Sequence, residues 1–186
     1  MRTPAGCFIG GAELAVAAGV DPAIGSGGHH DFFAAVVVGI AGGGEIYVLD
    51  VSRGRFRFAT QLELLGELCR RWRPRLLGIE STAYQASLAH AVFDRGLPVK
   101  EISGTRSKLA RIDATAVHAA RGRLYLPAES RWGADFLREA LEYPAGEHDD
   151  QLDALAYAVE TALPFAGGAG LVHAAVRDGG ATRDYS

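Results

Sequence analysis

Acidic side chains at the ends of apolar runs are the residues here whose type and spacing could do chemistry. Asp21 closes the run 14–20, just ahead of Pro22 and a Gly-rich turn, and Glu80 closes the apolar run 76–79. Asp149, Asp150 and Asp153 gather at the start of the segment 150–163, in which Leu152, Leu155, Ala156 and Val159 fall at helical spacing. Asp150 and Asp153 are three apart and share a helix face. A carboxylate that ends a buried strand is costly unless it is paired or bound to a cation. Mg²⁺ and Mn²⁺ take oxygen ligands. Two such ions about 4 Å apart can activate a water and stabilise the leaving oxygen of a phosphodiester. One strand cannot surround two ions, so the ligands must come from separate elements, as Asp21, Glu80 and Asp150 do.

Each acid also has a plainer reading. Asp149 suits a helix cap or a dipole partner. Asp21 before Pro22 suits a turn, and Glu80 suits pairing with a buried arginine. Their joint placement, after two core strands and at the start of a core helix, is what points to a metal site.

The elements that must hold these acids alternate along the chain. Residues 14–20, 32–40 and 45–51 read as strands, the last two joined by the Gly42–Gly44 turn, in an antiparallel meander. Residues 61–72 carry Leu62, Leu65, Leu68 and Cys69 at helical spacing and stop at Pro74. A strand at 76–79, a helix at 84–95 closed by Gly96, a strand at 99–102 and a helix at 107–121 closed by Gly122 follow. A brief strand at 124–126 and helices at 132–141 and 150–163 complete the set. This order predicts an α/β fold, a mixed sheet with helices on both faces.

The bulk properties fit one globular domain over residues 13–165. The chain has 186 residues, 48% hydrophobic and 22% charged, enough for one real core. Residues 1–12 and 166–186 are Gly- and Ala-rich and read as a flexible N-terminal segment and a flexible tail. Of the cysteines, Cys69 reads as core and Cys7 as part of a loose terminus. Two cysteines this far apart make neither a disulfide framework nor a zinc site, which fits a reducing compartment. No secretory signal or membrane-spanning run is visible, so a cytoplasmic location is expected. The net charge of −3 argues against tight autonomous binding to nucleic acid.

Five runs carry a resemblance. They are Gly19-Val20-Asp21-Pro22-Ala23, Ile46-Tyr47-Val48-Leu49-Asp50 with Arg53-Gly54, Gly78-Ile79-Glu80, Arg121-Gly122-Arg123-Leu124-Tyr125-Leu126-Pro127, and His148-Asp149-Asp150-Gln151-Leu152-Asp153-Ala154-Leu155. Together, across residues 16–163, the chain resembles the C-terminal nuclease domain of terminase large subunits, the DNA-packaging motors of tailed bacteriophages. The resemblance implies a ribonuclease H-like fold and an endonuclease that cuts concatemeric viral DNA. It implies Mg²⁺ or Mn²⁺, two ions, and in-line attack of a metal-activated water. By position, Asp21, Glu80 and Asp150 match the catalytic acids. Asp149 and Asp153 match further metal-site acids, and Asp31 an accessory one that could equally cap its turn. Implied partners are double-stranded DNA, the ATPase domain of the same subunit, the portal and the small terminase subunit, in the host cytoplasm. No Gly-x-x-x-x-Gly-Lys-Ser/Thr loop is present, so the chain reads as a nuclease half that cuts but does not translocate.

Basic residues supply candidate phosphate contacts. Arg53, Arg55 and Arg57 alternate along one segment, and Arg106, Lys108 and Arg111 cluster at a helix start. Lys108 leads these, because related domains carry a basic residue before this helix. Solvated surface is the alternative for each. Arg70, Arg71, Arg73 and Arg75 follow a helix end and read as dipole complement. His29 and His30 follow Asp21 and could assist a water or leaving group, or simply be exposed. His148 adjoins the acids. Two competing readings remain: a Holliday-junction resolvase, which shares the fold and a similar acidic helix, and a metal-free module that docks DNA or the portal.

Overall fold

The computed structural model describes residues 2–3, 6–22, 32–80, 85–102 and 107–167. His29, His30, Asp31, Arg106 and the segment 168–186 lie outside the described residues. The strands are β1 (Arg2–Thr3), β2 (Gly6–Ile9), β3 (Ala12–Asp21), β4 (Phe33–Ile40), β5 (Ile46–Gly54), β6 (Leu77–Glu80), β7 (Val99–Ile102) and β8 (Leu124–Tyr125). The helices are α1 (Phe58–Trp72), α2 (Gln85–Asp94), α3 (Lys108–Ala120), α4 (Gly133–Glu142) and α5 (Asp150–Ala162), with a short 3₁₀ turn at Leu163–Phe165.

The expected antiparallel meander is β3–β4–β5. β6 lies parallel to β3, β7 parallel to β6, and β8 parallel to β5. The N-terminal residues, expected to be irregular, instead form strands. Gly10 and Gly11 both take positive φ, 57° and 85°, the geometry of a tight two-residue hairpin. That turn folds β2 back on the start of β3, with Cys7 opposite Leu14. Cys7 is buried in the core rather than loose. The glycines that looked like disorder are the turn.

Alternation along the strands sorts the core into two layers. Leu14, Val16, Ala18 and Val20 of β3, with Leu77 and Ile79 of β6, face α1 and α2 through Leu62, Leu65, Leu88 and Val92. Ala17 of β3 and Val36 and Val38 of β4 face α5, α4 and α3. Gly19 and Asp21 continue the α5-facing set on β3, and Gly78 and Glu80 do so on β6.

α5 is buried on nearly every side, because the sheet lies under it and α3 and α4 flank it. Each of its fully buried Leu and Val side chains contributes roughly 1.5–3 kcal/mol by leaving water. Two glycines let it lie close. A Cβ on Gly19 would sit 2.1 Å from the Ala154 carbonyl oxygen and 2.2 Å from the Ala158 nitrogen. A Cβ on Gly78 would sit 2.2 Å from Thr161 Oγ1 and 3.2 Å from the Tyr157 carbonyl oxygen. Helix and strand backbones are therefore almost in contact.

Candidate metal centre

Asp21 and Glu80 each lie two residues beyond a glycine that seats α5. Gly19 is in register with Gly78, and Val20 with Ile79, so Asp21 and Glu80 end neighbouring parallel strands on the α5 side of the sheet. α5 begins over that end, and its first turn brings Asp150 and Asp153 in. The carboxylates interact strongly. The Asp21 carboxyl is pushed up to about 8, by burial first and then by the charges of Asp153 and Asp150; Lys108 opposes the shift and Glu80 adds to it. Burial also raises Asp153, against the pull of its hydrogen bond to Lys108.

Cations of the chain hold these acids. Lys108, at the first position of α3, reaches Asp149 Oδ1 at 2.8 Å and also pairs with Asp153 Oδ2. Its burial lowers the ammonium pKa, but the hydrogen bonds to Asp149 and Asp153 outweigh that and the net shift is upward. Arg53 Nη2 lies 3.4 Å from Asp150 Oδ2, and His148 Nδ1 lies 4.0 Å from the same oxygen. Arg111 Nη2 lies 3.4 Å from Glu80 Oε1 and donates to the Tyr157 hydroxyl at 2.8 Å. Tyr157 is raised by burial and by its hydrogen bond to Glu80.

These pairs show where two of the arginines expected as phosphate contacts lie. Arg111 is only 6% exposed and faces inward, where it neutralises Glu80. Arg53 also turns inward, between Asp150 and Glu139, and stacks on Phe32 at 3.8 Å. Arg55 is exposed and covers the same ring at 4.4 Å, while His148 meets that ring edge-on at 5.0 Å. Asp50, within one of the resembling runs, lies away from the acids; it accepts from Trp72 Nε1 at 2.7 Å and pairs with Arg71.

Tyr157 and Glu139 belong to the site's framework and were not anticipated. A signal existed for Glu139: it follows Phe136 by three residues on α4, an acid on an apolar stripe. Tyr157 lies one turn beyond Asp153 on α5, where an aromatic residue reads as ordinary core.

The donor set suits a hard divalent ion. Asp153 Oδ1 is buried and has no hydrogen-bond partner among the described residues, so one carboxylate oxygen is left to a cation. The Lys108 ammonium already satisfies the demand for positive charge between Asp149 and Asp153. Among the described residues no ready-made metal-ligand group is present. The chain's own cations pair with the acids, and a divalent ion would have to replace those contacts.

A β7-β6-β3-β4-β5 sheet with helices on both faces, and with acids gathered where β3, β6 and α5 meet, defines a ribonuclease H-like domain. Within that class, the family model for the terminase RNaseH-like domain matches residues 18–162, and the chain belongs to that family. Among solved structures, the large terminase nuclease from thermophilic phage G20c with bound zinc aligns with a TM-score of 0.64 at 17% identity, over 79% of this chain and 81% of that one. The magnesium-bound form of that nuclease aligns with a TM-score of 0.61 at 16% identity, over 79% and 81%. T. thermophilus RuvC in complex with a Holliday junction substrate aligns with a TM-score of 0.50 at 20% identity, over 77% and 90%. At these identities the likeness is one of fold. No curated protein matches the sequence.

Proposed function

We propose that the chain is a divalent-metal-dependent DNA endonuclease domain of a phage DNA-packaging terminase. The observation that carries this reading is the seating of α5 on Gly19 and Gly78, which gathers Asp21, Glu80, Asp150 and Asp153 at one end of the sheet. Membership of the terminase RNaseH-like family supports it. The zinc, cobalt and magnesium forms of the G20c nuclease support divalent ions as cofactors.

In this reading Asp21, Glu80 and Asp150 hold the metal, Mg²⁺ or Mn²⁺, with Asp149 and Asp153 beside them and two ions in all. Bound ions would supply Lewis-acid activation of water and neutralise charge on the phosphate. The chain's residues do the rest. Asp21, lying between the strands and α5 with its carboxyl raised by burial, would bind the ion as a carboxylate. Arg111 and Tyr157 hold Glu80 in place from below. Lys108, paired with Asp149 and Asp153 in the metal-free chain, would be freed by a bound ion to meet a phosphate, and exposed Arg55 would flank the approach. Arg106, Asp31 and His30 keep their proposed roles as a DNA contact and accessory groups. Double-stranded DNA is the substrate, and the ATPase domain, portal and small terminase subunit are the partners, in the host cytoplasm.

Plasmid cleavage by the purified chain with Mn²⁺, Mg²⁺ or EDTA, beside Asp21→Ala and Asp150→Ala, tests this. Metal-dependent nicking and linearisation, lost in both variants, is the expected result. Preference for a four-way junction over duplex DNA would instead favour a resolvase. Absence of both cleavage and calorimetric metal binding would leave a docking module.

A further inference from the structure

Glu139 is a buried carboxylate on α4 that the reading above does not use. It is 5% exposed. Its Oε1 accepts from the Gln151 backbone N–H at 2.7 Å and the Leu152 N–H at 3.3 Å, and its Oε2 accepts from Gln151 Nε2 at 2.6 Å. Arg53 Nε lies 3.6 Å from Oε2.

Gln151 and Leu152 are the second and third residues of α5. Their N–H groups are among the donors that a helix start leaves without intrahelical partners, and the residue before the helix ordinarily accepts from them through its side chain. Here that residue is Asp149, and it makes no side-chain cap bond. Its φ of −144° and ψ of 13° are not the extended geometry usual for a capping residue. Its carboxylate faces Lys108 instead. The cap comes from another helix, and the same cap carboxylate stands beside Arg53, whose other end touches Asp150.

We propose that Glu139 is the positioning residue of the acid site: it caps α5 in place of Asp149, which leaves Asp149 facing the cation position, and it holds Arg53 against Asp150. The proposal rests on the metal-site reading above. A carboxylate suits this place because it accepts on both oxygens. An amide that keeps its oxygen on the two α5 N–H groups would turn its NH₂ toward Arg53 Nε, donor against donor, and remove the charge that faces Arg53.

Calorimetric titration of the full chain with MnCl₂ tests this, comparing the unmodified chain, Glu139→Gln, Asp149→Asn and the double variant, with circular dichroism to confirm folding. Loss of a group that orients metal ligands typically weakens binding 10–100-fold, and about that loss is expected for Glu139→Gln at unchanged stoichiometry. Asp149→Asn weakens binding in the unmodified background. It adds little in Glu139→Gln, where Asp149 turns back to cap the helix, so the two effects are not additive. A purely structural cap would lower the thermal midpoint and leave Mn²⁺ affinity unchanged; that result, or simple additivity, overturns the proposal. If Glu139→Gln does not fold, Glu139→Asp keeps the charge and withdraws it by one methylene, and the same weakening is expected. Absence of Mn²⁺ binding by the unmodified chain would sink the metal-site reading itself, and this proposal with it.

Discussion

Gly19 and Gly78 stand in register on the neighbouring parallel strands β3 and β6, and α5 rests on both. Asp21 and Glu80 follow them by two residues, so the pleat that turns each glycine toward the helix turns each acid the same way. The helix carrying Asp150 and Asp153 approaches as closely as backbone allows. The glycines set the depth of α5, and its depth sets how close its acids come to those of the strands.

That relationship orders three alanine substitutions. At Gly19 the new methyl would meet helix backbone at 2.1 and 2.2 Å, which cannot swing aside, so Gly19→Ala should cost about 3 kcal/mol or more. At Gly78 it meets Thr161 Oγ1 at 2.2 Å and Ile102 Cδ1 at 2.7 Å, both on side chains, so the loss should be smaller, about 1–3 kcal/mol. At Gly66, inside α1, nothing lies within 4 Å, and Gly66→Ala should stabilise by about 0.5–1 kcal/mol. Urea unfolding of the three variants checks the order. A Gly19→Ala chain as stable as the parent would mean that α5 does not lie this close to the sheet.

The raised Asp21 carboxyl predicts how metal-free stability depends on pH. Its ordinary value is 3.8 and its folded value about 8. Between these the folded chain holds a proton that the unfolded chain has released, so the contribution is fully present below about pH 4. It falls as pH rises toward 8 and is gone above it. Unfolding midpoints measured in EDTA should therefore decline across this window. Asp21→Asn, which cannot ionise, should flatten the decline and be the more stable chain at pH 8.5. Equal slopes for the two chains would remove Asp21 as the titrating group.

Much of this arrangement is legible along the chain. Alternating apolar residues mark the three meander strands, and Pro74, Gly96 and Gly122 stop helices where expected. The acids stand out because each ends an apolar run. What is hidden depends on contacts between distant residues. Arg111 is buried because Glu80 and Tyr157, 31 and 46 residues away, meet it, and no local pattern distinguishes it from a surface arginine. Asp149 looks like a helix cap, and only the arrival of Glu139 from α4 relieves it of that task. The N-terminal hairpin is not legible in the sequence because its glycines suit disorder and a tight turn equally.

Lys108 predicts how the site responds when its own cation is removed. The ammonium bridges Asp149 and Asp153, and the Asp153 side chain is only 5% exposed. In Lys108→Met these carboxylates lose their counter-charge. The lysine itself is about half exposed, so the loss of metal-free stability should be modest, about 1–2 kcal/mol. On the metal-site reading the same change vacates the ion's position, so binding no longer requires displacement of an ammonium. Mn²⁺ stabilises in proportion to the logarithm of its concentration over its dissociation constant. The thermal midpoint should therefore rise more with 5 mM Mn²⁺ in Lys108→Met than in the unmodified chain, from a lower starting point. Differential scanning calorimetry with and without Mn²⁺ measures both quantities. A lower starting point with an unchanged or smaller Mn²⁺ response would show that Lys108 and the ion occupy different places.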